Sequence, residues 1–226
     1  MKIVEPSFEI LYPVTHVEWV REFEMIEFAG RTAYKSEEHI TKGSYVKFIE
    51  GLINRNHMAV LEFGNMIVKF VTDRGISHEL VRHRLCSFVQ ESTRYCNYNQ
   101  DKFGNEISFI KPSNLDKTDV PTNTDQVWEA RMQQLEDDYL NMLKWGLAPQ
   151  TVRAMLPTCV KTEIIIKANF REWIHIFNLR VLGKTGKPHP DMMRLMTPLY
   201  HHLNQINSGA YQFVWNLGPA LEEKNK

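Results

Sequence analysis

The sequence predicts an α+β or α/β domain, and three observations carry that expectation. The runs Met66–Val71 and Val160–Ala168 are too short and too β-branched for helices and too apolar for loops, so they read as largely buried strands. Segments with apolar residues near helical spacing separate them, and no repeat, low-complexity tract or linker interrupts the chain. At 226 residues the chain fits one domain better than two complete ones, so a single domain over residues 1–226 is expected.

In chain order, Lys2 to Leu11 reads as a strand, and Val17, Val20, Phe23, Met25 and Ile26 recur as on a helix of about 15–33. A second helix covers Ser44 to Asn54, and the strand at 62–72 is broken by Asp73-Arg74-Gly75, which opens a helix running to about Leu85. After a polar loop, Ile107–Ile110 reads as a strand and Lys111 to Asp125 as a surface loop rich in Pro, Asn, Asp and Thr. Helices follow at about 125–145 and 149–156, the latter entered by Pro149 and closed before Pro157. Beyond the strand at 160–168, Asn169 is placed to cap a helix of about 170–182, and Pro190 opens a last helix to about Asn207.

Charge excludes several functions. The 27 basic residues balance 27 acidic ones, so the basic excess on which non-specific nucleic-acid or anionic-membrane binding relies is missing, and any anion site must be local. No stretch reaches the roughly 18 apolar residues of a bilayer span, and Lys2, Glu5 and Glu9 stand where a signal peptide would be apolar; a cytoplasmic protein is expected. Cys86, Cys96 and Cys159 form no CxxC pair and read as inert buried thiols, and neither they nor His201-His202 have the spacing of metal ligands, so no metal is expected.

The window Arg74–Tyr95 reads RGISHELVRHRLCSFVQESTRY and holds four of the twelve arginines, where about one would fall by uniform placement, and none of the 15 lysines. Arginine presents a planar fork that grips a phosphate or carboxamide edge, whereas lysine is a hydrated point charge. On a helix, Arg82 and Arg84 would stand about 200° apart and serve ligands on opposite faces. Ser92, Thr93 and Arg94 then supply the hydroxyls, backbone N–H groups and cation of a phosphate cradle. By composition alone, a solvated helix face with Glu79 paired to His83 at i,i+4 is a competing account.

Arg82-His83-Arg84 followed seven residues later by Ser92 resembles the RHR-x7-S signature of the flavin-dependent thymidylate synthases. The resemblance continues in matching order through His57 and Glu62, Arg153 in RAMLP, Asn169-Phe170-Arg171, His175, the triplet Asn178-Leu179-Arg180 and His189, covering residues 50 to 195. It implies a central mixed sheet flanked by helices, methylation of dUMP with methylenetetrahydrofolate as carbon donor, and reduction by NADPH through FAD. It also implies a homotetramer with shared active sites.

Residue by residue, the resemblance places Arg82, His83, Arg84, Gln90, Asn169, Arg171, His175 and position 59 on FAD. Glu79, Arg82, Gln90, Glu91, Ser92, Thr93, Arg94 and Arg153 fall on dUMP, with Arg153 coming from another subunit. His57 lies on the folate and nicotinamide side, and Arg180 is the catalytic residue that stabilises the ionised N3 of the uracil. Arg171 and His175, at i,i+4, share a helix face. Ser92 is assigned to binding, since no base that would activate it is identifiable. The eleven glycines form no GxGxxG turn, so FAD is expected on Arg, His and Asn.

Three departures stand out. Ala59 occupies a position where the family carries a hydroxyl, Gln90 one where many members carry glutamate, and Gly183–Pro188 looks like an insertion before His189. Two rival accounts remain open. One is a cysteine-dependent synthase using Cys159; the other is an RNA-binding module stacking bases on Phe88, Tyr95, Tyr98 and Phe103.

Overall fold

The structure is a computed structural model that describes residues 1–95, 98, 105–115, 123–206 and 214–215. It is of the mixed α/β class. The helices are α1 (His16–Thr32), α2 (Tyr45–Asn54), α3 (Arg74–Leu80), α4 (Thr124–Lys144), α5 (Pro149–Val152), α6 (Phe170–Arg180) and α7 (Pro190–Gln205). The strands are β1 (Lys2–Ile3), β2 (Ser7–Tyr12), β3 (Asn65–Asp73), β4 (Ser87–Gln90), β5 (Ser108–Phe109) and β6 (Lys161–Asn169). Four strands are hydrogen-bonded in the order β2-β3-β6-β4, while β1 and β5 form a parallel pair that matches Ile3 with Phe109.

Two compact units divide the chain. The first comprises Met1–Ser7, Phe70–Arg82 and Val89–Ile164; the second comprises Phe8–Lys69, His83–Phe88 and Ile165–Lys226. The core of the first gathers Tyr98, Ile107, Phe109, Tyr139, Val152 and Val160, with Trp128, Met132 and Leu135 of α4 packed against it. In the second, Trp19 and Phe23 of α1 meet the Phe170 ring, with centroids 5.9 and 5.8 Å away. Trp173 is fully buried and donates its indole N–H to the Met66 carbonyl at 3.0 Å, as a buried polar ring atom requires. Met192, Leu195, Met196, Leu199, Tyr200 and Leu203 of α7 are likewise buried within this unit.

Local chemistry explains most boundaries. Thr15 and Glu18 form a capping box that starts α1, and the Asn169 carboxamide oxygen accepts from Glu172 N at 2.8 Å to start α6, as its position in the sequence predicts. Pro149 and Pro190 sit in the first turns of α5 and α7. The segment expected as one helix over 149–156 is α for its first turn and then a 3₁₀ turn over Arg153–Met155. The opening segment is two strands, because Pro6 lacks the N–H that a continuous ladder needs.

One correction matters for the site. The helix expected to reach Leu85 stops at Leu80, so Arg82, His83 and Arg84 lie in a turn and not on opposite helical faces. His83 is drawn into a buried contact while Arg82 and Arg84 remain exposed, so tertiary pairing overrides helix propensity there. A second is the strand β4, where the sequence suggests only a polar loop.

In the second unit Gly64 permits a close approach. Its carbonyl accepts from Phe170 N at 2.9 Å, and a Cβ there would stand 2.7 Å from both the Phe170 ring and Ile26 Cδ1. Gly64→Ala is therefore expected to cost about 1–3 kcal/mol by overpacking, read as a lower urea midpoint with the urea dependence unchanged; an unaltered midpoint would show that the Phe170 ring and the Ile26 side chain yield without cost.

Candidate active site

In the first unit, the site residues cluster on the segment after β4. Glu91 anchors it: its N–H donates to the Glu163 carbonyl at 2.9 Å, and its own carbonyl accepts from Arg74 Nη2 at 2.8 Å. The Glu91 carboxylate lies 3.4 Å from Lys161 Nζ, which also meets Glu163 at 2.6 Å. Beneath it, Gln90 Nε2 donates to Ser77 Oγ and Thr162 Oγ1 at 2.8 and 3.1 Å, so the amide nitrogen is committed to the fold. Beyond, Arg94 N donates to Ser92 Oγ, and Arg153 Nη1 donates to Thr93 Oγ1, both at 3.3 Å.

The chain's own Arg153 thus reaches the segment that the sequence expects to grip a phosphate. Arg94 and Arg153 are exposed and Thr93 is buried, so the segment presents two arginine side chains to solvent, one of them bonded to the Thr93 hydroxyl. Glu79 and Arg82 close the same unit's stretch on α3 and the turn after it. Arg74, which sequence analysis counts in the cluster without giving it a role, props the segment; its Nε is buried without a partner.

In the second unit, a cleft of about 620 Å³ is lined by His57, Ala59, Arg171 and His175, four residues that the sequence assigns to cofactor or co-substrate. Arg171 and His175 do share a face of α6, and Arg171 Nη1 meets Glu62 Oε1 at 2.6 Å, joining the two motif segments. Sequence reasoning missed Gly30, Ala33 and Tyr34 at the end of α1, and named Asn178 only within the triplet Asn178-Leu179-Arg180, without a role. Asn178 also lines the cleft, and its Oδ1 is buried with no hydrogen-bond partner among the described residues.

His83 also lies in this unit. It is 5% exposed; its Nδ1 is 3.6 Å from Glu172 Oε1 and its Nε2 accepts from Arg180 Nε at 3.1 Å. Burial first, then the Arg180 and His175 charges, press its pKa down to about 4, so it is neutral near pH 7. Burial also raises the Glu172 carboxyl above its ordinary value, partly offset by His175.

His83, Glu172 and His175 offer ligand atoms within 4.8 Å of one another. The Arg180 bond nevertheless places the His83 proton on Nδ1, the nitrogen facing Glu172. A metal there would displace that proton and bring its charge beside a guanidinium, so the arrangement suits a hydrogen-bond network and not a cation.

The rival accounts fare poorly. Burial pushes the Cys159 thiol up to about 11 and Cys86 up to about 12, which suppresses the thiolate a nucleophile needs, and Lys161 is taken up by Glu163 and Glu91. Tyr98 is buried and so presents no stacking platform; Cys96 and Phe103 lie outside the described residues. Among the described residues, no helix is long and apolar enough to cross a membrane.

The family model described as thymidylate synthase complementing protein matches residues 17–206. The chain belongs to this family. The flavin-dependent thymidylate synthase of Geobacter sulfurreducens is 30% identical over 162 residues, 69% of this chain and 67% of the other. The probable flavin-dependent thymidylate synthase of Paramecium bursaria Chlorella virus 1 is 27% identical over 198 residues, 85% and 90% of the two chains. A UMP/dUMP methylase from Streptomyces cacaoi, solved bound with 5-Br dUMP, shares the fold at 17% identity, with a TM-score of 0.73 over 96% of this chain and 98% of the other.

Within the thymidylate synthase complementing fold, His83 supplies a titration test. An unfolded imidazole titrates near 6.5 and the folded one near 4, so between these values the unfolded chain binds more protons and stability falls as pH drops. Glu172, raised above its unfolded value, acts with the opposite sign. Comparison with His83→Gln isolates the histidine: the stability difference between parent and variant is expected to shrink by roughly 1–3 kcal/mol from pH 7 to pH 4.5. A pH-independent difference in urea midpoints would refute it.

Proposed function

We propose that this chain is a flavin-dependent thymidylate synthase that methylates dUMP to dTMP, taking the carbon from methylenetetrahydrofolate and the hydride from FAD reduced by NADPH. The observation that carries the reading is the second unit's cleft, which gathers His57, Ala59, Arg171 and His175 around the unpaired Asn178 oxygen. These residues fit a flavin nucleotide: Arg171 and His175 offer donors, Asn178 an acceptor, and no glycine-rich turn is required. We further propose that residues 1–226 act as one catalytic domain in the cytoplasm and as a homotetramer with shared active sites.

In this reading, Arg82, Arg84, Gln90, Asn169, Arg171 and His175 hold FAD, which supplies hydride transfer when bound, whereas His83, buried between Arg180 and Glu172, serves the site by fixing Arg180 and not by gripping FAD as the resemblance implies. Glu79, Arg82, Gln90, Glu91, Ser92, Thr93, Arg94 and Arg153 hold dUMP, the last four at its phosphate. His57 serves the folate and nicotinamide side. Uracil C5 is a weak nucleophile. Arg180 stays protonated throughout and favours the anion over N3 and O4, which enriches C5 in electrons for attack on the one-carbon unit. Pinning its Nε on His83 fixes the plane of the guanidinium before substrate arrives.

Incubation with FAD followed by desalting is expected to leave a retained flavin absorption spectrum and NADPH oxidation that depends on dUMP. A folded but colourless protein, or a coloured one that ignores dUMP, would overturn the assignment. Arg180→Gln is expected to lower kcat by about 10²–10³-fold while the spectrum is retained. Cys159→Ala is expected to keep turnover near the parent's; its near-complete loss in a folded variant would instead point to a cysteine route.

A further inference from the structure

Arg180 does not stand alone in the second unit; behind it runs a line of three side chains. Its Nε donates to His83 Nε2 at 3.1 Å, and on the other side of the imidazole His83 Nδ1 lies 3.6 Å from Glu172 Oε1. We propose that Glu172 is a positioning residue for methyl transfer: its carboxylate, 3.6 Å from Nδ1 and so acting by charge across more than a hydrogen-bond length, favours the His83 proton on Nδ1, so that Nε2 can accept from Arg180 and hold its guanidinium in one plane. This rests on the role given to Arg180 in the proposed function.

An acid in the first turn of a helix has an ordinary explanation, since it complements the helix dipole. Glu172 does stand in the first turn of α6, but that benefit is available at the surface, and Glu172 is only 6% exposed. Burying a carboxylate costs free energy unless something meets it. The groups around it are His83, His175 and the Cys86 thiol; a His175 ring nitrogen lies within 4.8 Å of it, and the His83 Nδ1, at 3.6 Å, is the one close enough to form a charge pair. An imidazole has two tautomers, and the partner of one nitrogen decides the state of the other. Without the carboxylate facing Nδ1, the proton can move to Nε2, where it would confront the Arg180 N–H donor to donor. The link to Arg180 would then be lost.

The test is ¹⁵N-histidine NMR of the full-length protein with FAD, the His83 signals being identified by their absence in His83→Gln. Two-bond couplings separate a protonated from an unprotonated ring nitrogen. The parent is expected to carry the His83 proton on Nδ1. Glu172→Leu should shift it towards Nε2 and lower kcat about tenfold to a hundredfold, with a smaller change in the KM for dUMP. Glu172→Gln keeps an oxygen there without the full charge and should restore part of the Nδ1–H tautomer and of the turnover.

A parent with its proton on Nε2 would overturn the proposal even if Glu172→Leu fails to fold. So would a Glu172→Leu variant that keeps the parent tautomer, or one that switches tautomer without loss of kcat. A tautomer switch in a protein that never methylates dUMP would overturn the functional reading and the role of Arg180, while leaving Glu172 as the residue that orients His83.

Discussion

Burying one imidazole between a carboxylate and a guanidinium constrains the second unit's site more than any other contact. A neutral ring at 5% exposure has one nitrogen hydrogen-bonded to Arg180 and the other 3.6 Å from the Glu172 carboxylate, and both partners come from a single helix. Glu172 and Arg180 are eight residues apart on α6, about two turns and about 80° around the axis. Fixing α6 therefore fixes both. That helix is in turn held by the Asn169 cap, by the Phe170 N–H on the Gly64 carbonyl, and by the buried Trp173 on the Met66 carbonyl.

The same contact accounts for the break after α3. Had the helix continued, its side chains would have fanned out every 100° or so. In the turn, His83 goes inward and Arg82 and Arg84 go out, so the triplet separates one buried structural base from two exposed cations. What the sequence cannot reveal is which residue will recruit His83, because Glu172 and Arg180 lie about ninety positions downstream. Patterning reports local preference, and a long-range polar contact is invisible to it.

Legibility elsewhere follows the same division. β3 and β6 were readable because short runs rich in β-branched residues have few alternatives, α1 from its apolar spacing, and the starts of α6 and α7 because caps and prolines are local chemistry. β4, four residues of alternating exposed and half-buried character, carries too little apolar signal to stand out from a loop. In the site, residues within a motif could be read from their spacing, whereas Gly30, Ala33 and Tyr34 reach the cleft through tertiary packing. Gly30 had a physical reason to be there: a Cβ would meet the Phe48 ring at 2.6 Å.

The departure at Ala59 can be weighed with the same magnitudes. One lost hydroxyl bond to a ligand is worth about 0.5–1.5 kcal/mol, or about threefold to tenfold in affinity. An unmet buried acceptor such as Asn178 Oδ1 costs about 1–3 kcal/mol, a cost relieved when a ligand donor arrives. The two ranges overlap, so relief and loss are of comparable size. Ala59 also keeps the cleft open at an exposed position where a larger side chain would take up space. In the proposed reading, binding in the cleft concentrates on α6, through Arg171, His175 and Asn178, which couples ligand affinity to the same helix that carries Glu172 and Arg180.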